Sequence, residues 1–259
     1  MSEKQLQAER HQLILGILDE ESSAQVDELS RRFEVSKNTI RRDLNILEEL
    51  GFLIRSKGGA VKSRTQQSPR SFDERQILNR SCKKSIARKA AELILEGETI
   101  ILASGTSTLE LAGYLKNRDH LTVITNSLDI AQVLSDEKRL TLILCGGIYD
   151  SQSRSMIGMP AELFFRDIHV DKLFMAVKAL DEEGIYDMNM KETPVKQSMI
   201  RTAEELVVLA DHTKIGKKSL NRIEPLFRID SIICDVLPPE HLLVSFRSAG
   251  IDIIVSSEE

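Results

Sequence analysis

The chain has 259 residues, of which 41% are hydrophobic and 29% charged, and its formal net charge is −5. This length suits two domains, and this composition is typical of a soluble globular protein. The longest apolar runs are too short to cross a bilayer, and the first residues lack the apolar core of a secretion signal, so we expect a cytoplasmic protein without a membrane partner.

The first 62 residues are predicted to form a winged helix-turn-helix domain. Apolar residues at helical spacing predict one helix from about Lys4 to Glu20 and a second from about Val26 to Phe33. Ser36 is well placed as the N-cap of a third helix that reaches about Leu50. Two short apolar runs around Gly58-Gly59 then predict a hairpin, the wing.

The third predicted helix has two different faces. Ile40, Leu44 and Leu47 fall together on a helical wheel and would pack on the first two helices. The opposite face and the helix start suit DNA, because arginine pairs with guanine, asparagine with adenine, and hydroxyl or free N–H groups with phosphate. Together with the basic residues of the wing, the candidate DNA-binding residues are Ser36, Lys37, Asn38, Thr39, Arg41, Arg42, Asn45, Arg55 and Lys57.

The charge distribution favours the same segment. Residues 1–30 hold two basic and seven acidic side chains, whereas residues 31–64 hold nine basic and four acidic ones. Local potential matters more to a nucleic-acid partner than total charge does. A merely solvated arginine face is the alternative, and the ordered set of helices, turn and glycine hairpin favours DNA binding over it.

The stretch from Val35 to Leu44, with its Thr-Ile-Arg-Arg-Asp-Leu core, and the later Gly58-Gly59-Ala60 resemble the signature of the DeoR family of bacterial regulators. The resemblance implies that the third helix is the recognition helix, and that Arg41 and Arg42 contact double-stranded operator DNA. It also implies a homo-oligomer, a dimer or a tetramer, that usually represses. Asp43 is expected to orient the adjacent arginines or to cap a packing contact, since a carboxylate repels phosphate.

A polar stretch, residues 63–80, is predicted to link this domain to a second one, residues 81–259. The second domain begins with a helix at 81–95 and then alternates between two kinds of segment. The predicted strands are 98–103, 121–126, 140–145, 171–177, 206–211, 231–235 and 252–256, and the predicted helices are 107–116, 127–135, 160–167, 191–205 and 239–249. This alternation predicts an α/β fold with a mainly parallel, Rossmann-like sheet, whose ligands bind at the carboxyl ends of the strands.

Three loops after consecutive predicted strands carry small or hydroxyl residues. The second contains Asn126, and the third contains Gly146 and Gly147, which would let backbone approach a ligand. The first opens a helix, where free N–H groups and the helix dipole suit an anion; it consists of Ser104, Gly105, Thr106, Ser107 and Thr108. Each loop alone could be an ordinary turn, but their convergence at one sheet edge favours a ligand that bears phosphate.

Charged residues in the second half of the chain are further candidates for this site. They are Asp181, Glu192, Lys196, Asp211 and Lys214. Glu192 and Lys196 are four residues apart at a predicted helix start and therefore share a face, although a surface ion pair would show the same spacing.

These segments extend the DeoR resemblance over nearly the whole chain, through Gly158-Met159-Pro160-Ala161 and the run from Ala210 to Gly216. The effector domain of that family is similar in fold to ribose-5-phosphate isomerase. The resemblance therefore implies a phosphorylated sugar or related metabolite as the ligand. Its phosphate would lie in the loop 104–108, and Asp181, Lys196 and Lys214 would line the sugar site.

The chain departs at four positions from what the DeoR family or the ribose-5-phosphate isomerases usually carry. Ala103 stands where the family often has Asp, and Ser107 replaces a usual threonine while keeping the hydroxyl. Lys178 and Val195 stand where the isomerases carry acids, and a proton-shuttling isomerase needs a positioned carboxylate base, so we expect binding without catalysis. Lys178 would either favour a ligand with an extra negative group or point to solvent.

The three cysteines, Cys82, Cys145 and Cys234, are widely spaced and form no Cys-x-x-Cys pair, which argues against disulfides and a zinc site. No metal and no cofactor are therefore expected. The sequence predicts a transcription regulator, a repressor of carbohydrate metabolism genes controlled by a phosphorylated sugar. Two alternatives stay open: a sugar-phosphate isomerase-like enzyme with a helical N-terminal domain, and a winged helix that serves only protein contacts.

Overall fold

The fold comes from a computed structural model that describes residues 3–49, 53–62 and 72–256. The chain divides into two compact units, residues 1–79 and 80–259, each with its own hydrophobic core. In the described ranges no helix is both long enough and apolar enough to cross a membrane.

The first unit combines three helices with a small antiparallel sheet. The helices are α1 (Glu3–Glu21), α2 (Val26–Arg32) and α3 (Lys37–Glu49), and the strands are β1 (Ser23–Gln25), β2 (Leu53–Ser56) and β3 (Gly59–Lys62). The helix bounds agree with the predicted ones to within one residue, and the winged helix-turn-helix architecture is confirmed. The helices form because apolar residues recur on one face of each, and these faces meet in one core.

Strand β1 is an addition to the predicted elements. It pairs antiparallel with β3, so that β3 lies in the middle of the three-stranded sheet. A Cβ on Gly59 would lie only 2.2 Å from the carbonyl oxygen of Ala24, so glycine is needed here for the close approach of two backbones. The wing is therefore joined along its inner strand to the body of the unit.

Part of the predicted linker is helical. Helix α4 (Phe72–Ile77) lies within the range 63–80, and its first residue, Phe72, is buried. The guanidinium of Arg75 lies 5.2 Å from the centre of the Phe72 ring, and Leu78 packs against the core of the first unit. Residues 63–71 of the predicted linker lie outside the described residues.

The second unit begins with α5 (Arg80–Glu92) and contains a parallel sheet of seven strands. The strands are β4 (Thr99–Leu102), β5 (Thr122–Thr125), β6 (Thr141–Leu144), β9 (Val170–Ala176), β12 (Ala203–Leu209), β14 (Ser231–Cys234) and β15 (Asp252–Val255). Their order is β15-β14-β12-β9-β4-β5-β6, and every neighbouring pair is parallel. All seven predicted strands therefore belong to one sheet, and the predicted α/β class is confirmed.

Helices cover this sheet, and the strand order reverses between β4 and β9. The helices are α6 (Thr106–Tyr114), α7 (Leu128–Leu134), α8 (Met159–Arg166), α9 (Thr193–Thr202) and α10 (Glu240–Ser248). The central strands are near-continuous apolar runs because both of their faces are buried. The chain runs outward from β4 to β5 and β6, and then from β9 in the other direction, which makes the β4–β9 boundary the switch point where such sheets bind ligands.

Two small antiparallel structures are additions to the predicted fold. One is a hairpin of β7 (Ile148–Asp150) and β8 (Ser155–Ile157), and the other is a sheet of β10 (Ala179–Asp181), β11 (Gly184–Asp187) and β13 (Asn221–Pro225). Their strands span three to five residues, which is too short for an alternating pattern to identify. Both structures bring polar side chains to the site described below.

Candidate functional site

The two faces of α3 differ in burial as the helical wheel predicts. Ile40, Leu44 and Leu47 are fully buried in the core of the first unit. The opposite face is exposed along its whole length, at Asn38, Arg41, Arg42 and Asn45. The unit therefore presents a surface of guanidinium and amide groups, the chemistry that reads base edges in a major groove.

Asp43 holds α3 on α1. Its side chain is 1% exposed, and its carboxylate accepts hydrogen bonds from Arg10 Nε (2.5 Å), His11 Nε2 (3.0 Å) and Gln7 Nε2 (3.3 Å). Burial alone would raise the pKa of Asp43, but the hydrogen bonds from His11 and Arg10 outweigh it and lower the pKa to about 2. Of the two roles expected for Asp43, the structure has the packing contact.

The start of α3 is capped as predicted. Ser36 Oγ accepts a hydrogen bond from the Thr39 backbone N–H at 3.1 Å, and the two hydroxyls lie 2.9 Å apart. The ammonium of Lys37, which is exposed, lies 2.9 Å from the Asp27 carboxylate of α2. These groups surround the positive end of the helix dipole.

Arg55 ties the wing to α3. Its guanidinium donates to Asn45 Oδ1 (2.6 Å), to the Arg41 carbonyl (3.2 Å) and to the Gly59 carbonyl (3.2 Å). The exposed amide of Asn38 likewise accepts a hydrogen bond from Arg41 at 3.1 Å. Arg55 is thus half-buried between the two elements, whereas Lys57, at the wing tip, is exposed.

The loop 104–108 lies at the switch point of the parallel sheet. All five of its residues are buried. A Cβ on Gly105 would lie 2.5 Å from the Cβ of Ala176 at the end of β9, so only glycine lets the loop pack there. Gly105 is also the N-cap of α6 and offers no capping side chain, while Thr108 Oγ1 donates to the carbonyls of Ala103 and Gly105. The first turn of α6 therefore keeps its N–H groups for another acceptor.

Three segments meet at Ser104. Its backbone N–H donates to Asn126 Oδ1 at 2.9 Å, and its hydroxyl donates to Glu192 Oε1 at 2.6 Å. Asn126 in turn donates to the carbonyl of Met156 at 3.3 Å. The loops after β4 and β5 and the start of α9 are thus joined by buried hydrogen bonds, as expected for the first two of the three predicted loops.

The hairpin β7–β8 continues this network with residues that the sequence does not single out. Ser155 donates to Glu192 at 3.3 Å and lies 2.9 Å from the hydroxyl of Ser153, which donates to Asp150 at 2.6 Å. Asn189 also donates to Asp150, at 3.2 Å. The serines lack a sequence signal because only the fold of the hairpin turns them inward.

Gly146 and Gly147 lead the chain from β6 into that hairpin. Both are exposed. Gly147 has a φ of +151°, and a Cβ there would lie 2.9 Å from the Ile157 carbonyl. A Cβ on Gly147 would also lie 3.2 Å from the Cβ of Ala161 in α8, so its steric role is to admit the turn beside β8 and α8.

Lys196 pairs with Asp187, not with Glu192. The two side chains form a short ion pair and are 3% and 1% exposed, so the alternative interpretation of Glu192 and Lys196 as a surface ion pair is wrong. Asp187 also accepts the backbone N–H groups of Met188 (2.6 Å) and Asn189 (3.0 Å). Burial would raise the pKa of Asp187, but the charge and hydrogen bond of Lys196, the backbone N–H of Asn189 and the charge of Lys178 lower it.

Asp181 ends β10 of the antiparallel sheet, and Lys178 immediately precedes that strand. Asp181 is buried and accepts hydrogen bonds from Tyr186 Oη and from the Glu183 backbone N–H, both at 2.9 Å, and Lys218 Nζ lies 3.6 Å from it. Burial and Asp181 raise the pKa of Tyr186 to about 12. Lys178 is half-buried, and its charge lowers the pKa of Asp187; both expectations for it stay predictions.

Asp211 and Lys214 lie at the carboxyl end of β12. Asp211 is buried, accepts hydrogen bonds from the N–H and hydroxyl of Thr213, and lies 3.9 Å from Lys214 Nζ. Burial would raise the pKa of Asp211, but Lys214, Thr213 and the buried Lys83 of α5 lower it. A carboxylate among three such partners is ionised and already bound.

Both units correspond to known domains. The family described as the DeoR C terminal sensor domain matches residues 78–236, which is more than half of the chain, and the family described as the DeoR-like helix-turn-helix domain matches residues 10–66. The chain belongs to the DeoR family of transcription regulators. The family expected from the sequence is confirmed, and so is the assignment of the chain as a DNA-binding regulator.

Similar proteins of this family cover almost the whole regulator. It is 36% identical to the HTH-type transcriptional regulator GolR of Listeria innocua over 249 residues, which are 96% of this chain and 98% of that protein. It is 33% identical to the HTH-type transcriptional repressor GlcR of Bacillus subtilis over 253 residues, 98% of each chain. Identity to the HTH-type transcriptional repressor CsqR of Escherichia coli is 31% over 251 residues, 96% of each chain.

Among solved structures, the DeoR-family chain is similar to a ribose 5-phosphate isomerase A from Methanocaldococcus jannaschii. The TM-score is 0.39 at 19% sequence identity, and the similar region covers 53% of this chain and 55% of the isomerase. It thus spans about half the length of that enzyme.

Proposed function

We propose that this DeoR-family regulator represses genes of carbohydrate metabolism by binding operator DNA, and that a phosphorylated sugar bound in the second unit controls that binding. The observation that carries the proposal is the buried polar network at the carboxyl ends of β4, β5 and β9. A sheet of this type offers its ligand site there, and a buried polar cluster of this size is costly unless its groups are satisfied. Names of relatives, such as the repressors GlcR and CsqR, support the regulatory part.

The proposed DNA interface is the exposed face of α3 with the wing tip. Arg41 and Arg42 would contact base edges and phosphates in the major groove, and the capped start of the helix, at Ser36, Lys37 and Thr39, would receive a backbone phosphate. Asn38 and Asn45 would exchange their hydrogen bonds to arginine for bonds to bases, and Lys57 would meet the neighbouring groove. Arg55 would mainly hold the wing against α3.

Operator recognition of this kind requires a homo-oligomer. A single recognition helix reads only a few base pairs, and helix-turn-helix regulators gain affinity by placing two copies on half-sites about one helical turn apart. Closed two-fold symmetry is the commonest arrangement of such chains. We therefore propose a dimer or a tetramer.

The proposed ligand site divides into a phosphate part and a polyol part. The uncapped first turn of α6, in the loop 104–108, suits the phosphate, because its N–H groups converge at the positive end of the helix dipole. The carboxylates of Glu192 and Asp150 are acceptors for sugar hydroxyls, and the amide of Asn189 offers both a donor and an acceptor. Lys178 and Lys214 add positive charge for the anionic ligand.

We further propose that this site binds without catalysis. The residue that precedes Lys196 is Val195, which is fully buried in the core and has no proton to exchange. The carboxylate of Asp187 is bound by Lys196, and that of Asp181 by Tyr186 and Lys218. A general base must be free to reach the substrate proton, and each of these two side chains is held by a partner.

The DNA part is tested with alanine variants of Arg41 and Arg42. Each should abolish specific binding to the native operator in a gel-shift assay and leave ligand binding intact. Arg139→Ala, which removes an equally exposed arginine from the second unit, is the matched control and should bind DNA as the unmodified chain does. Unchanged operator affinity in both α3 variants would refute the assignment of this face.

The ligand part is tested by thermal shift against a panel of phosphorylated sugars. A true effector stabilises the native state by about 2.7 kcal/mol at 100 times its Kd, so it should stand out from the panel. Glu192→Gln should lose most of this shift, whereas Glu204→Gln, at an exposed position, should keep it. Gly105→Ala should also lose the shift because its methyl group displaces the loop, while Gly113→Ala, with open space around it, should not.

The same effector must change operator affinity. A ligand shifts an equilibrium only by its differential affinity for two states, so a sugar phosphate that binds but leaves operator affinity constant would contradict ligand control. Turnover of any sugar phosphate that is lost in Asp181→Asn would instead favour the enzyme alternative.

A further inference from the structure

A second cluster of side chains lies apart from the network at Ser104 and Glu192. It consists of Cys82 in the first turns of α5, His212 after β12 and Asp235 after β14. One potential ligand atom from each residue lies within 4.8 Å of the other two. The three residues are far apart in sequence, and the parallel sheet brings them together because β12 and β14 are neighbours whose carboxyl ends face the same edge.

The carboxylate of Asp235 is already oriented by His212. Its Oδ1 accepts the backbone N–H of His212 at 2.6 Å, which leaves Oδ2 directed at the imidazole Nδ1, also at 2.6 Å. The sulfur of Cys82 lies within 4.8 Å of an oxygen of the same carboxylate. Asp235 is 6% exposed, but the imidazole is 49% exposed, so the cluster opens to solvent on the side of His212.

We propose that Cys82, His212 and Asp235 bind a divalent transition-metal ion of the zinc class. A thiolate, an imidazole and a carboxylate are the three side-chain ligands that Zn²⁺ takes, and three protein ligands leave a fourth tetrahedral position for water on the exposed side. The sulfur and nitrogen ligands distinguish this set from a calcium or magnesium site, because those ions take oxygen ligands. The proposal departs from the expectation of no zinc site, which rests on cysteine spacing alone.

The geometry requires only small movements. Zinc bonds of about 2.3 Å to sulfur and about 2.0–2.2 Å to nitrogen or oxygen place tetrahedral ligand atoms about 3.3–3.6 Å apart. The atoms of the cluster now lie up to 4.8 Å apart, and the His212–Asp235 contact is shorter than this range. Both differences are between side-chain atoms, so rotation of the Cys82 side chain and of the half-exposed imidazole would be needed to close them.

Binding would replace protons with a metal ion. The metal takes the deprotonated thiolate, so the thiol proton of Cys82 is released to solvent, and His212 binds as the neutral imidazole through its lone pair. No electron is transferred. The ion would fasten the start of α5 to the carboxyl ends of β12 and β14, and His212 lies in the chain between Asp211 and Lys214 of the proposed sugar-phosphate site.

The probe is Co²⁺ added to the full-length chain under a phosphine reductant that does not bind metal. Tetrahedral cobalt bound by a thiolate gives a charge-transfer band and strong visible d–d bands, which report both the ligand and the geometry. We expect one equivalent to bind, and Zn²⁺ to displace it in competition. Cys82→Ser should lose the charge-transfer band while keeping the circular dichroism spectrum of the unmodified chain.

The remaining variants decide whether the site is built from all three residues. His212→Asn and Asp235→Asn should each weaken metal binding at least about 100-fold, since loss of a mere outer-shell partner already costs about 10- to 100-fold. His169→Asn is the matched control, because His169 also lies 2.9 Å from a carboxylate, that of Glu204, and should change the affinity less than twofold.

Each other outcome overturns the proposal. A chain that gives no thiolate band has no such site. A band that persists in Cys82→Ser belongs to a different cysteine, and an equal loss in His169→Asn and His212→Asn shows surface binding by histidines in general.

Discussion

Replacing Asp43 with asparagine tests whether the recognition helix is held in place by a buried charge. The side chain keeps its size and loses its charge. Its single oxygen can still accept hydrogen bonds, but its amide nitrogen cannot accept those that the second carboxylate oxygen receives. The pKa of Asp43 lies at about 2 instead of 3.8, which corresponds to about 2.4 kcal/mol of stability at pH 7. Because the group is 1% exposed, little of this value is lost to solvent screening.

The sign of the pH dependence follows from the lowered pKa. A carboxyl group with a lowered pKa in the folded state stabilises that state above its unfolded pKa of 3.8, and this contribution disappears as the pH falls through about 2. The difference between the unmodified chain and Asp43→Asn should therefore stay near 2.4 kcal/mol from pH 7 to about pH 5. It should fall to about 1.3 kcal/mol at pH 3.

A fluorescence probe can report on the first unit alone. The chain has no tryptophan, and its three tyrosines, at positions 114, 149 and 186, all lie in the second unit. Phe33→Trp, at a half-buried position against the first core, therefore serves as the background for urea unfolding. Asp27→Asn, which removes an exposed carboxylate and its ion pair with Lys37 from the same unit, is the control and should shift the midpoint much less than Asp43→Asn does.

Two results would refute this reasoning. One is equal stability of Asp43→Asn and its background at pH 7. The other is a stability difference that stays constant from pH 7 to pH 3, because that would show a packing effect without a contribution from charge.

Three further predictions follow from the fold and the interface. Gly59→Ala should destabilise the first unit by about 1–3 kcal/mol in the same fluorescence assay, because its methyl group meets a backbone carbonyl, whereas Gly16→Ala, in open space on α1, should be neutral or stabilising. Lys196→Met should lower the unfolding free energy of the second unit by about 3–5 kcal/mol, measured by tyrosine fluorescence, because it leaves the buried carboxylate of Asp187 without its ion pair. Combining it with Asp187→Asn should recover most of the loss. No recovery would show that the ion pair is not the cause. Operator affinity should fall steeply with salt concentration. When Arg41 or Arg42 is replaced with alanine, the slope of log binding constant against log salt concentration for the residual DNA binding should be smaller by about 1. An unchanged slope would mean that the arginine contacts no phosphate.

The architecture could be predicted from the sequence wherever burial imposes a long pattern. The central strands of the parallel sheet are apolar runs because both of their faces are covered. Ile40, Leu44 and Leu47 indicate the inner face of α3 by their spacing alone. The sequences of the short strands β1, β7 and β11 show no such apolar pattern. They span only three or four residues each, and pairing, not composition, creates them: β1 forms on the distant β3, and β7 and β11 form in hairpins.

The polar groups of the site could be predicted only in part. Ser104 and Asn126 follow buried strands, and that position identifies them. Asp187 gives no comparable signal, because its pairing with Lys196 depends on how β11 and α9 meet. Arg55 shows a related difference: its charge marks it as basic, but only the structure shows that the guanidinium is engaged by its own chain.

The bond between the wing and the body of the first unit has a consequence for how an operator would be read. Strand β1 fixes one edge of the wing and Arg55 fixes the other, so the distance between the wing tip and α3 is set within the first unit. This distance would not adjust to the duplex. Base pairs that the protein never touches would then be selected by the width and bend that they give the DNA between the wing tip and α3.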